Sequence, residues 1–283
     1  MARGTTAATD SHHIDREGKS GDALLLKIPT KTITVALTLT ALFLTLASLT
    51  AQGLNYMGYM GALGESQLSL ARLFNVGEEA NIPTYYSSFI LLISSMLLAI
   101  IAGAKKRRGE RYALHWAVLS IIFLGMSLDE TAQIHETSGY VFETLAREYT
   151  GFTPSGFLYS SWVIPGIVFV LVVGLAYLPF LAHLPRKTCL LFLIAGFLYV
   201  GGAVGLEMIG GKIVSAYGWE NWEDWKSVAD SSNMVGAKVL ANIEQHAEEL
   251  LEMLGVTVFI YALLSYISSY VGGVTLQVRD GKE

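Results

Sequence analysis

The chain is short of charge and almost free of cysteine. Only 15% of its 283 residues are charged, where an ordinary soluble domain carries about 25%. The single cysteine, Cys189, lies inside an apolar run and can form no internal disulfide. No Walker loop, GxSxG, HExxH, CxxC or dinucleotide fingerprint occurs, so the common motif-based chemistries are missing. Positive charge is scarce as well. The net charge is −5 and the pI about 5.7, with no basic face and interleaved aromatics, which excludes a general nucleic-acid binder.

Apolar residues make up 52% of the chain, and the mean hydropathy is +0.46. A bilayer core needs about 20 apolar residues per helix. Six segments satisfy this: 32–52, 85–104, 113–128, 158–181, 188–209 and 250–271. The third is short but runs on into a polar helical stretch. The first is too long and starts too late for a cleavable signal. The fold expected is all-α: a polytopic bundle of six transmembrane helices with one interfacial helix on the outer side. Residues 1–26 are expected as a disordered cytoplasmic tail, 27–272 as the membrane domain and 273–283 as a short cytoplasmic tail.

Lysine and arginine set the orientation. With the N-terminus cytoplasmic, the inner segments hold five in 1–31, five in 105–111, two in 183–187 and two in 273–283, which is 14 of the 19. Both termini are then cytoplasmic. Seventeen of the 24 acids fall on the outer side. Acids hardly influence insertion, so this excess needs another cause. The interfacial helix is expected at 219–230, where Trp219, Trp222 and Trp225 recur at a spacing of three. Gly201 and Gly205 form a small-xxx-small pattern suited to close helix packing.

The chemistry-bearing residues gather at outer helix ends. Glu78 and Glu79 precede the second helix, with Pro83 suited to its first turn. Asp129, Glu130, His135 and Glu136 follow the third, Glu207 ends the fifth, and Glu244, His246, Glu248, Glu249 and Glu252 open the sixth. On a straight helix Asp129, Gln133 and Glu136 share a face, and His135 stands about 120° away unless the helix bends. Glu244, Glu248 and Glu252 also share a face. The helix dipole accounts for Glu244 and for Glu248 without any site, but not for Glu252, Glu207 or Asp129–Glu130.

Carboxylates at that depth call for a counter-charge, a proton or a metal. Asp129, His135, Glu136, Glu207, His246 and Glu252 are the candidate ligands of a divalent metal, with zinc, iron or manganese suited to carboxylate plus imidazole. Glu130 and Glu249 are the candidate catalytic carboxylates. The expected function is a metal-dependent enzyme acting on a lipid or membrane-soluble substrate. Cation- or proton-coupled transport and a non-catalytic accessory role are the alternatives.

The segments Glu79-Ala-Asn81-Ile-Pro83-Thr84, Ser127-Leu-Asp129-Glu130 with His135-Glu136, and Glu249-Leu-Leu-Glu252-Met253-Leu-Gly255 resemble those of uncharacterised bacterial multi-pass membrane proteins. That resemblance spans about 30–272 and implies the bacterial inner membrane, but no activity. The seven-helix membrane hydrolases that include alkaline ceramidases are an analogy only, because their His-x-x-x-His pair is missing.

Overall fold

The computed structural model describes residues 24–25, 29–59, 71–217, 232–271 and 275–276. The expected interfacial helix at 219–230 lies outside the described residues, as do nearly all of both terminal tails. The architecture is all-helical. Its helices are α1 (Thr30–Tyr59), α2 (Ile82–Arg107), α3 (Ala113–Ala132), α4 (Ile134–Thr150), α5 (Val163–His183), α6 (Arg186–Val200), α7 (Glu207–Tyr217) and α8 (Ser232–Tyr266). A π-helical stretch, Gly201–Leu206, fuses α6 to α7, and another, Ile267–Val271, ends α8. The one extended pairing among the described residues joins Leu24–Leu25 to Thr275–Leu276.

Six helical stretches are long and apolar enough to cross a bilayer: Thr30–Leu54, Ile82–Arg107, Ala113–Ala132, Val163–His183, Arg186–Ala216 and Gly236–Val271. The bundle therefore has two ends. One carries Lys105, Lys106, Arg107, Arg108 and Arg111 and is called here the basic end. The other carries Glu79, Asp129 and Glu244 and is called the acidic end.

α8 is the central post. Met253, Val256, Ile260 and Leu264 recur at helical spacing and pack with Ala41, Leu44, Ile90 and Leu91 of α1 and α2. Its other side sets Phe259, Leu263 and Ile267 against Leu98, Trp116, Phe180 and Phe192. A helix apolar on all sides belongs inside a bundle. Side chains such as Phe43, Ile121, Leu175 and Phe197 stay exposed on the outer helices, where lipid takes the place of water.

Two serine pairs set the register of α2 against α3. Ser88 and Ser127 each donate to the other's carbonyl at 2.8 Å. Ser95 and Ser120 do the same at 2.8 and 2.9 Å. Small hydroxyl-bearing residues let two backbones approach while satisfying their polar groups.

The close-packing glycines differ from the expected pair. A Cβ on Gly201 would meet nothing within 4 Å, and one on Gly205 only Val200 O at 4.0 Å. Gly202 makes the tight contact instead, with a Cβ falling 2.8 Å from the Glu248 carbonyl oxygen. The π turn rotates this part of the helix, so the face derived from a period of 3.6 is not the one that packs.

Candidate functional site

The acidic end is built from a stapled loop, a broken helix and two glycine contacts. The loop comes first. Asn81 caps α2, its Oδ1 accepting from Thr84 N at 3.2 Å and Thr84 Oγ1 at 3.0 Å. Its Nδ2 donates back to the carbonyls of Asn75 and Glu78 at 2.5 and 2.6 Å. Pro83 sits in the first turn, as expected. Ser48 of α1 accepts from Val76 N at 2.9 Å, which ties the loop to the bundle. Glu79 is thereby held at the rim, where its carboxylate accepts from Gln133.

The broken helix comes second. α3 does not run on. Gln133 takes a left-handed conformation, φ 52° and ψ 41°, and a new helix begins at Ile134. The shared face expected for Asp129, Gln133 and Glu136 therefore does not form. The bend turns His135 back onto Asp129, whose two oxygens take the His135 backbone N–H at 2.7 Å and face Nδ1 at 3.0 Å. Asp129 thus clamps the first turn of α4. Burial pulls the His135 pKa down, but the hydrogen bond and charge of Asp129, with Glu136 and Glu130 nearby, outweigh it, and the result is raised. Glu79 is also raised, first by burial and then by the charge of Glu136, with His135 opposing.

Deeper in, carboxylates from three helices converge. Glu130 of α3 lies beside the Ser87 side chain. Glu249 of α8 lies in the electrostatic reach of Glu130, Glu79 and Glu207. Glu252 lies beside the Tyr199 side chain and neighbours Glu249, Glu130 and Glu207. Glu248 neighbours Glu207, Glu252 and Glu244. Glu244 is hydrogen-bonded to Glu248, and its other oxygen, Oε1, is buried with no partner. Two carboxyl groups in hydrogen-bond contact need a proton or a cation between them. These side chains are half-buried.

Among the described residues, none of the ion pairs reaches the core of this group. The ion pairs among the described residues are Arg72–Glu78, Lys105–Glu110, Arg108–Glu110, Arg147–Glu143 and His135–Asp129. None involves Glu130, Glu207, Glu244, Glu248, Glu249 or Glu252. Among the described residues, no three His, Cys, Asp or Glu side chains stand close enough to form a ready-made metal-binding group. A cation held here would have to draw the side chains inward.

The glycines explain how α7 and α8 come so close. A Cβ on Gly210 would fall 2.6 Å from Glu244 Oε2, and one on Gly202 3.1 Å from Glu252 Cγ. Neither Glu244 nor Glu207 sits at a helix end as expected. α8 begins at Ser232, so Glu244 is three turns inside it. A dipole effect fades within the first turn and does not account for this acid. Likewise the fifth span runs on to Ala216, which puts Glu207 inside it.

Of the candidate ligands, Glu207 and Glu252 join the cluster, with the candidate catalytic pair Glu130 and Glu249. Asp129, His135 and Glu136 form its rim. His246 is a correction: both of its ring nitrogens are engaged, Nδ1 with the Asn242 carbonyl at 2.7 Å and Nε2 with Ser48 Oγ at 2.9 Å. Ser48 is 198 positions away in sequence. The ring is buried toward α1 and leaves no lone pair for a metal. Tyr199, Ser87, Glu244 and Glu248 were not among the expected site residues. The spacing of four in 244, 248 and 252 was the available signal for the last two. Tyr199 had none, since the π turn separates it from Glu207.

Fold and site together define a helical membrane protein with six spans among the described residues and a carboxylate cluster at one end. Residues 35–267 match the model of the family described as Domain of unknown function (DUF8692), and the chain belongs to that family. No curated protein and no solved structure matches it.

Proposed function

We propose that the chain is a metal-dependent membrane enzyme, with a divalent cation held among Glu130, Glu207, Glu249 and Glu252. The observation that carries this reading is the convergence of these acids, with Glu244 and Glu248, in a group that takes part in none of the ion pairs found among the described residues. With His246 engaged elsewhere, the donor set is all oxygen. That favours manganese, ferrous iron or magnesium over zinc. Glu130, Glu207, Glu249 and Glu252 would hold the cation, which would supply Lewis-acid activation of a water, and a carboxylate left outside the coordination sphere would serve as the base. The substrate class is a lipid or another membrane-soluble molecule. The acidic end faces outward from the cell membrane with both termini cytoplasmic; the weighting of 14 of 19 basic residues to the other side supports this.

The packing below the site argues against transport. From Glu252 to Val271, about 28 Å of helix at 1.5 Å per residue, α8 presents Met253, Val256, Phe259, Ile260, Leu263 and Leu264 to the core. Phe259 lies between the rings of Phe123 and Phe192, each at 4.6 Å. A relay for protons or cations needs ionisable groups across the membrane, and this half is closed by aliphatic and aromatic packing.

Metal content decides the matter. The protein, purified in mild detergent without chelator, should carry a stoichiometric divalent metal by mass spectrometry. Glu252→Gln should lose it and His246→Ala should keep it. A well-folded wild type that stays metal-free after incubation with Mn²⁺, Fe²⁺, Mg²⁺ and Zn²⁺ would overturn the reading.

A further inference from the structure

We infer that α4 is an in-plane membrane helix, with Ile134, Val141, Leu145 and Tyr149 seated at the acyl–headgroup boundary of the leaflet on the acidic side. At 100° per residue these four fall within an arc of about 80°, which also holds the small polar Ser138. They are 53%, 56%, 48% and 76% exposed. Two other sectors of the helix are already assigned. One faces protein: Gly139 packs so closely that a Cβ would fall 2.9 Å from Trp162 N, and Glu143 Oε2 accepts from Ser161 Oγ at 3.1 Å. The other is polar and exposed, with Glu136, Thr144 and Arg147. A helix between protein and water has two sectors. A third that is apolar and has no partner among the described residues fits a third phase.

Continuity identifies that phase as lipid. α3 ends with Ile121, Leu124 and Leu128 exposed on its membrane face, and the stripe of α4 resumes at Ile134 just past the bend. α4 cannot itself cross the bilayer: its 17 residues include Glu136, Glu143, Arg147 and Glu148, and it is not among the six spans. Its charged residues are mainly acidic, so attraction to anionic lipid contributes nothing. Apolar burial and the Asp129–His135 clamp at its start hold it in place. Tyr149 suits the interface, where aromatic rings with polar tips collect. This inference stands apart from the metal reading, although it brings His135 and Glu136 to headgroup depth.

The test uses Cys189→Ser protein with one new cysteine at a time, spin-labelled, in phosphatidylcholine nanodiscs. Power-saturation EPR then compares dissolved oxygen with a nickel chelate. Labels at Val141→Cys and Leu145→Cys should give oxygen-to-nickel ratios several-fold above those at Thr144→Cys and Arg147→Cys. Equal nickel access at all four sites overturns the inference in favour of a solvent-exposed helix. Shielding of the stripe from both reagents overturns it in favour of a protein partner. Only labelled variants that elute monodisperse with wild-type thermal stability are compared, so misfolding cannot imitate either outcome.

Discussion

Gly202→Ala tests the contact that brings α8 against the π turn. The new Cβ would lie 2.8 Å from the Glu248 carbonyl oxygen, 3.1 Å from Glu252 Cγ and 3.3 Å from Leu251 Cβ. Carbon contacts are comfortable at about 3.5 Å and beyond. The nearest obstacle is helix backbone, which cannot rotate aside, so the two helices must separate by roughly half an ångström at this point. Overpacking of this kind costs about 1–3 kcal/mol. Gly201→Ala is the matched control, with nothing within 4 Å of its Cβ. Both variants gain the same helix propensity, up to about 1 kcal/mol, so their difference isolates the steric cost. At about 2–4 °C per kcal/mol for a chain of this size, Gly202→Ala should melt roughly 2–12 °C below Gly201→Ala. Thermal unfolding in one detergent, followed by intrinsic fluorescence, measures the gap. Equal melting temperatures would refute the close approach and the cluster geometry that depends on it.

Asn81→Ala removes the cap of α2 and two loop hydrogen bonds, and should cost at least the 1–2 kcal/mol typical of a cap, read as a lower melting temperature. His246→Ala leaves Ser48 without its partner and should destabilise by about 1–3 kcal/mol while metal binding persists. Glu248→Gln relieves repulsion from Glu207, Glu252 and Glu244, so it should raise the melting temperature in chelator and shrink the stabilisation produced by added Mn²⁺. The raised His135 pKa makes the Asp129 clamp pH-sensitive. Its contribution is full below the unfolded histidine value of about 6.5 and is lost as pH rises through the higher folded value. Hydrogen exchange at the start of α4 should therefore quicken on alkalinisation in wild type beyond the intrinsic rate increase, and much less so in His135→Asn.

The spans were legible because a bilayer imposes length and apolarity on every crossing segment, a signal each stretch carries alone. The acid-rich helix ends were legible for the same reason, as violations of that rule. What escaped the sequence depends on partners far away in the chain. His246 sits two positions from both Glu244 and Glu248, yet Ser48 of α1 decides its environment. The bend at Gln133 has no local signature, since glutamine does not favour the left-handed region. The Asp129 carboxylate holds the bend in place by accepting the His135 N–H. The choice of Gly202 over Gly201 and Gly205 follows from the π turn, which hydrophobic periodicity does not announce. α4 was absorbed into the polar continuation of the third span for want of that bend.

The way the acids are held bears on what they are for. Repelling carboxylates on adjacent helices can relax by turning outward or by letting the helices part. Here neither relief is taken. Gly202 and Gly210 remove the side chains that would keep α7 and the π turn away from Glu252 and Glu244, and Gly255 lets α8 meet Tyr199 N and Ala195 O from the other side. The apolar half of the bundle supplies the packing that enforces this approach. A surface merely rich in acid has no need of such contacts. Glycines at the points of closest approach, tight packing behind them and no ion pair to these acids among the described residues describe carboxylates brought together against their own repulsion. That arrangement costs stability unless something positive binds between them.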